Sequence, residues 1–145
     1  MKAVLMSIRH QHILDMHSGE KTSELRTAPP KIPTPFKVYN YDTESSGGCG
    51  KVVSEWICKD VVEWLMYMGI PAHLIKVACV SEDHIRRYCD FGRKNISEMK
   101  ISNLVIYDEP KPLSEFTKPY GTILKAFDSP YIQRPPQSWC YVEER

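Results

Sequence analysis

At 145 residues, 42% hydrophobic and 26% charged, the chain has the size and apolar content of one compact domain spanning residues 1–145, with a core that needs no covalent staples. Nineteen Lys and Arg against eighteen Asp and Glu leave a net charge of +1, which excludes the strongly basic class that coats nucleic acid and confines any such contact to a local patch. The five cysteines (Cys49, Cys58, Cys79, Cys89, Cys140) show neither a C-x-x-C pair nor zinc-ligand spacing, so free thiols and no metal or other cofactor are expected.

The opening AVLMSI, residues 3–8, is a short β-type run. RHQHILDMHSG follows with His10, Ile13, Leu14 and His17 at helical spacing and Gly19 placed to stop the helix. TSELRT, residues 22–27, alternates as a strand, with Thr22, Glu24 and Arg26 on one face. Four prolines make residues 28–35 a connecting loop. FKVYNYD (36–42) and KVVSEWIC (51–58) form an antiparallel pair around the Gly- and Ser-rich TESSGGCG.

KDVVEWLMYMGIP, residues 59–71, predicts a helix. Asp60 and Glu63 resemble a capping box, Val61, Trp64, Leu65 and Met68 form an apolar stripe, and Gly69 and Pro71 end it. Further helix is predicted from Pro71, and a short one from an N-cap at Ser81 through Tyr88. ISEMKISNLVIYD, residues 96–108, is a long strand whose apolar parity slips near Ser102 and Asn103, the mark of a bulge. Residues 109–121 are loop with one helical turn, and the tail through Trp139 to Glu144 adds a last strand. Strands spread along the chain with helices between them suit an α+β fold around a small, mostly antiparallel sheet or barrel.

No stretch approaches the ~18 apolar residues of a membrane helix. The first ten residues lack the apolar length and cleavage site of a secretory signal. A soluble, cytoplasmic protein without membrane partners is therefore expected; the sequence names no protein partner.

Lys21, Glu24 and Arg26 form the densest chemistry-bearing group. A lysine and an arginine hold a phosphate, while a carboxylate accepts from an exocyclic base amine or fixes the arginine fork. The alternative is a solvated strand edge, whose ion pairs contribute only ~0 to 1 kcal/mol. His10 and His17 share a helix face but lie two turns apart, roughly 10 Å, too far to bind one ion between them. Tyr39 and Tyr41 are read as cover for a half-buried sheet, and Cys58 and Cys140 as small core residues.

GEKTSELR, residues 19–26, resembles the G-x-K-x-x-E-x-R signature of the ASCH domain, a branch of the PUA-like superfamily, with Gly19, Lys21, Glu24 and Arg26 at its fixed positions. KVVSEWIC, ISNLVIYDEPKPLSEF and PPQSWCYV are similar to later elements of an ASCH subgroup from bacteria and their phages. The resemblance implies a PUA-like β-barrel of about five or six strands with flanking helices, and a cleft where the signature charges converge. Its implied ligand is RNA or a modified nucleotide.

Within such a barrel the end of the first strand runs beside the signature strand, so Ser7 and Arg9 would join the cleft. Gln137 and Ser138 would supply polar lining, and Trp139 a stacking platform for a base, an interaction of ~1 to 3 kcal/mol. Some ASCH relatives are hydrolases acting on acetylated cytidine or on RNA. Their amidohydrolase branch carries a threonine nucleophile where this chain has Glu24, activated by the lysine matching Lys21, and a glutamate on a central strand. By that analogy the catalytic candidates are Lys21 and Glu24, with Thr22, near the hydroxyl of Ser23, and Glu55 as weaker ones. The binding module is the first reading and the hydrolase its alternative.

Overall fold

The computed structural model describes residues 1–145. Six strands, β1 (Lys2–Ile8), β2 (Ser23–Arg26), β3 (Phe36–Asp42), β4 (Val52–Trp64), β5 (Ile96–Lys111) and β6 (Trp139–Glu143), form one sheet in the order β2-β5-β4-β3-β1-β6. Only β1 and β3 pair in parallel; the other neighbours are antiparallel. Three α-helices, α1 (His10–His17), α2 (Ala72–Ala78) and α3 (Glu82–Tyr88), complete the α+β architecture.

The apolar run in β1 reflects burial on both faces, which removes the usual in-out alternation. Val4, Met6 and Ile8 pack with α1 residues Ile13 and Met16 and with Val38, Trp56 and Met99. Ala3 and Leu5 face the other way, into Tyr39, Phe116, Ile132 and Val142. A third cluster seats α2 and α3 through Leu74, Ala78 and Ile85 on Leu25, Met66 and Ile96. The last cluster fixes the two helices beside β2, next to the signature residues.

Residues 59–64 correct the sequence reading. They continue β4, pairing Val61, Val62, Glu63 and Trp64 with Met99, Glu98, Ser97 and Ile96 across a bulge after Cys58. β-Branched Val61 and Val62 suit a pleated surface, and a ladder with a neighbouring strand outweighs the weak preference of an isolated helical pattern. Asp60 is thereby a cross-strand partner of Lys100 (3.4 Å) instead of a cap, and Trp64 Nε1 donates to Glu98 Oε1 at 3.0 Å. Of the expected helix only a 3-10 turn at Met66–Met68 forms, and α-helix begins at Ala72, beyond Gly69 and Pro71. In α3, Ser81 Oγ accepts from the His84 amide, the N-cap expected there.

The parity slip in β5 corresponds to a bulge. Its register with β4 changes between Ser102 and Val105, and Asn103 adopts φ 53°. β5 also runs on to Lys111, three residues beyond the expected end.

The hydrogen-bonded ladder leaves β2 and β6 as edges, yet the curled sheet brings them within side-chain reach. Arg26 Nη1 donates to Ser138 Oγ at 2.8 Å, and Trp139 Nε1 donates to the Ala28 carbonyl at 2.8 Å. Side chains thus bridge a seam with no backbone ladder. Pro29 and Pro30 after β2, and Pro135 and Pro136 before β6, remove the amide donors that longer edge strands would need.

Candidate functional site

β1 ends at Ile8 and α1 begins at His10, so Ser7, Arg9 and His12 come to one corner of the sheet. α1 stops at Gly19, whose φ of 86° suits a residue without a side chain. The chain then turns back: the Lys21 amide donates to Asp15 O (3.0 Å) and the Thr22 amide to Val77 O (2.8 Å). β2 enters the sheet against β5, with Glu24 opposite Met99 and Arg26 opposite Ser97.

This path buries a charged cluster. Lys21 is 3% exposed and Glu24 6%. Lys21 Nζ lies 3.3 Å from Glu24 Oε1 and donates to the Ala78 carbonyl at 2.9 Å. Arg26 meets Glu24 Oε2 through Nη2 (2.8 Å) and Nε (3.2 Å), and reaches Ser138 Oγ and the Ser7 carbonyl with its remaining fork. Burial opposes ionisation of Glu24, but Arg26 and Lys21 more than offset it and lower its pKa to about 2.

The sign of the resulting pH dependence follows directly. A carboxylate with a depressed folded-state pKa contributes stability above its unfolded pKa, near 4.5, and loses it as pH falls towards 2. The shift corresponds to about 3 kcal/mol. Urea midpoints measured across that window should fall steeply for the parent chain and more shallowly for Glu24→Gln. Equal slopes would show that Glu24 is not held ionised. Glu98, also depressed against burial by His73, Ser23 and Trp64, contributes to both chains alike.

A cleft of about 260 Å³ opens over the cluster, lined by β1 and its exit (Ser7, Ile8, Arg9), β2 (Glu24, Leu25, Arg26), α3 (His84, Ile85, Tyr88) and neighbouring residues including His12, Lys21 and Gln137. The charged side chains of this wall are Arg9, Lys21 and Arg26 against the single carboxylate of Glu24. Arg9 stands exposed at the rim. His12 is pushed below its usual pKa by burial and then by Lys21, so it is neutral at pH 7, and its Nδ1 is buried without a hydrogen-bond partner. His84 and Tyr88 stack at the mouth, ring centroids 6.2 Å apart and planes 21° from parallel.

Among the candidates named from sequence, Ser7, Arg9, Lys21, Glu24, Arg26 and Gln137 lie together in this cleft, and Ser138 joins through Arg26. Trp139 lies outside the lining: its indole is tied to Ala28, its ring meets Tyr141 edge-on at 4.9 Å, and it packs on the core. Glu55 belongs to a separate group with Lys37 Nζ (2.9 Å) and the Tyr107 hydroxyl (2.8 Å). Thr22 is exposed away from the cleft, and Ser23 Oγ donates to Glu98 at 2.7 Å. The wall formed by His12, His84 and Tyr88 was not read from sequence. The spacing of His84 and Tyr88, four apart on one face of a predicted helix, was its available signal.

No protein-family profile matches the sequence and no curated protein is similar to it. The crystal structure of ASCH from Zymomonas mobilis superposes with a TM-score of 0.72, covering 98% of this chain and 88% of that one at 18% identity. The chain has the ASCH fold. Two point variants of the same Zymomonas mobilis protein agree, with TM-scores of 0.70 and 0.69 over 99% and 98% of this chain and 92% and 89% of theirs, at 18% and 17% identity. The superposition spans strands and helices alike, so the ASCH fold accounts for essentially the whole chain. No helix is long and apolar enough to cross a membrane.

Proposed function

We propose that the cleft binds a nucleotide unit of single-stranded RNA or a modified nucleotide. The observation that carries this reading is the buried Lys21–Glu24–Arg26 cluster opening onto a cleft with three cations and one carboxylate in its wall. Counting donors assigns the roles. Glu24 has both oxygens engaged, so it acts as the clamp that holds the two cations in place. Lys21 and Arg26 each retain one N–H beyond those already bonded, and Arg9 supplies a further fork for a phosphate. At about 260 Å³ the cleft suits one nucleotide better than a helical duplex. The ASCH resemblance, with its implied RNA ligand, supports the same class.

The hydrolase alternative draws less support. Thr22 is exposed and outside the cleft lining, Ser23 is committed to Glu98, and Glu55 stands with Lys37 and Tyr107, so the candidate hydroxyls and the second carboxylate do not join Lys21 in the cleft. Incubation with acetylated cytidine and with unstructured RNA, scored for product, separates the two readings.

Binding is tested by calorimetric titration of adenosine 5′-monophosphate and short single-stranded RNAs. With Lys21, Arg26 and Arg9 facing the phosphate and Glu24 offsetting one of them, log affinity should fall against log salt with a slope of about −1 to −2. Arg9→Ala, at an exposed position, should weaken binding about tenfold or more without unfolding the chain. Heat-silent titrations at millimolar ligand, or affinity untouched by that substitution, would remove the proposal.

A further inference from the structure

We infer that α3 carries a second subsite, a stacking platform for the adjacent nucleotide, so that the ligand is an RNA strand of at least two residues and not a free nucleotide. This inference rests on the cleft reading above and extends it outward.

A wider, more open groove adjoins the cleft, lined by Ser81, Asp83, His84, Arg87 and Tyr88. His84 and Tyr88 belong to both hollows, so the stacked rings form the sill between them. The helix places them there by its period. Ile85 (0% exposed) and Cys89 (1%) turn into the core, which leaves His84 and Tyr88 one above the other on the outer side. Tyr88 is 37% exposed, and its hydroxyl accepts from the Thr27 amide at 3.4 Å, which orients the ring against the end of β2.

Flat, half-exposed rings beside a cationic cleft are what single-strand recognition uses, since every base has a π-face and stacking is tolerant of sequence. The groove adds one cation of its own. Arg87 is 74% exposed and bonded to Asp83 at 2.8 Å, a surface pair that contributes little and yields its guanidinium to a phosphate at small cost. Asp83 nearly cancels Arg87 electrostatically, so this subsite gains from stacking more than from charge. A nucleotide seated over Lys21 and Arg26 would therefore send its neighbour across the His84 and Tyr88 rings, with the linking phosphate near Arg87.

The test compares adenosine 5′-monophosphate with the 5′-phosphorylated diadenylate by calorimetry. The dinucleotide should bind about 5- to 150-fold more tightly. Tyr88→Ala should erase that advantage and Tyr88→Phe preserve it, which separates the ring from its hydroxyl bond. Arg87→Ala should leave the mononucleotide affinity unchanged while flattening the dinucleotide's salt slope by less than about 0.7. Equal affinity for the two ligands, or a dinucleotide affinity indifferent to Tyr88→Ala, overturns the platform and leaves the cleft reading standing. Failure of both ligands to bind overturns the two together.

Discussion

Glu24→Ala should lower the stability of the fold by about 3 to 5 kcal/mol, the range found when one partner of a buried ion pair is removed. The argument is one of orphaned charge. Lys21, 3% exposed, would keep only the Ala78 carbonyl, and Arg26 would keep Ser138 and the Ser7 carbonyl, with no ion pair left to either. Two cations close together in a medium poorer than water repel and lack hydration. Urea denaturation at pH 7 measures the loss, and low salt should enlarge it. A difference below about 1 kcal/mol would mean that the cluster is hydrated in solution. Losing Glu24 should also disorder the donors of the cleft, so any nucleotide binding should weaken in step.

Trp56→Ala should be more costly still, about 4 to 6 kcal/mol, close to the total stability of many domains of this size. Trp56 is fully buried against β1, α1 and Met99. Its indole Nε1 donates to Asn40 Oδ1 at 2.9 Å, and Asn40 in turn donates to Ser54 Oγ, which also meets His17 Nε2 at 2.9 Å. Alanine leaves a cavity and strips the network of its anchor. Trp56→Phe should recover most of the volume and still cost about 1 to 3 kcal/mol, the penalty for the unsatisfied amide oxygen. Thermal melts of the two variants therefore divide packing from hydrogen bonding. Equal losses would assign the whole effect to the polar network.

Much of this architecture is legible in the residues. The run of β1, the stop at Gly19, the cap at Ser81 and the parity slip at Ser102 and Asn103 each follow from a local physical rule that tertiary packing does not oppose. Residues 59–64 are different. Their charges at Asp60 and Glu63 and their apolar spacing satisfy a helical template, while the partner that overrides it, β5, lies more than thirty residues downstream. No local window contains that information.

The site divides along the same line. Lys21, Glu24 and Arg26 sit within six residues, so their grouping survives any reasonable folding of the segment. Trp139 lies near β2 yet spends its indole on Ala28, a contact that depends on how the two edges approach. His84 and Tyr88 enter the cleft only because α2 and α3 dock on Leu25 and Ile96, and His12 because α1 packs through Ile13 and Met16 on β1 and Trp56, consequences of burial outside the signature.

The bridge between β2 and β6 gives Arg26 two duties at once. Its guanidinium is a wall of the cleft and also the rivet to Ser138, so removing Arg26 would open the cleft and unfasten the seam between the two edges together. One side chain thus joins the two margins of the sheet, and its loss would be felt at the far edge as well as in the hollow it lines.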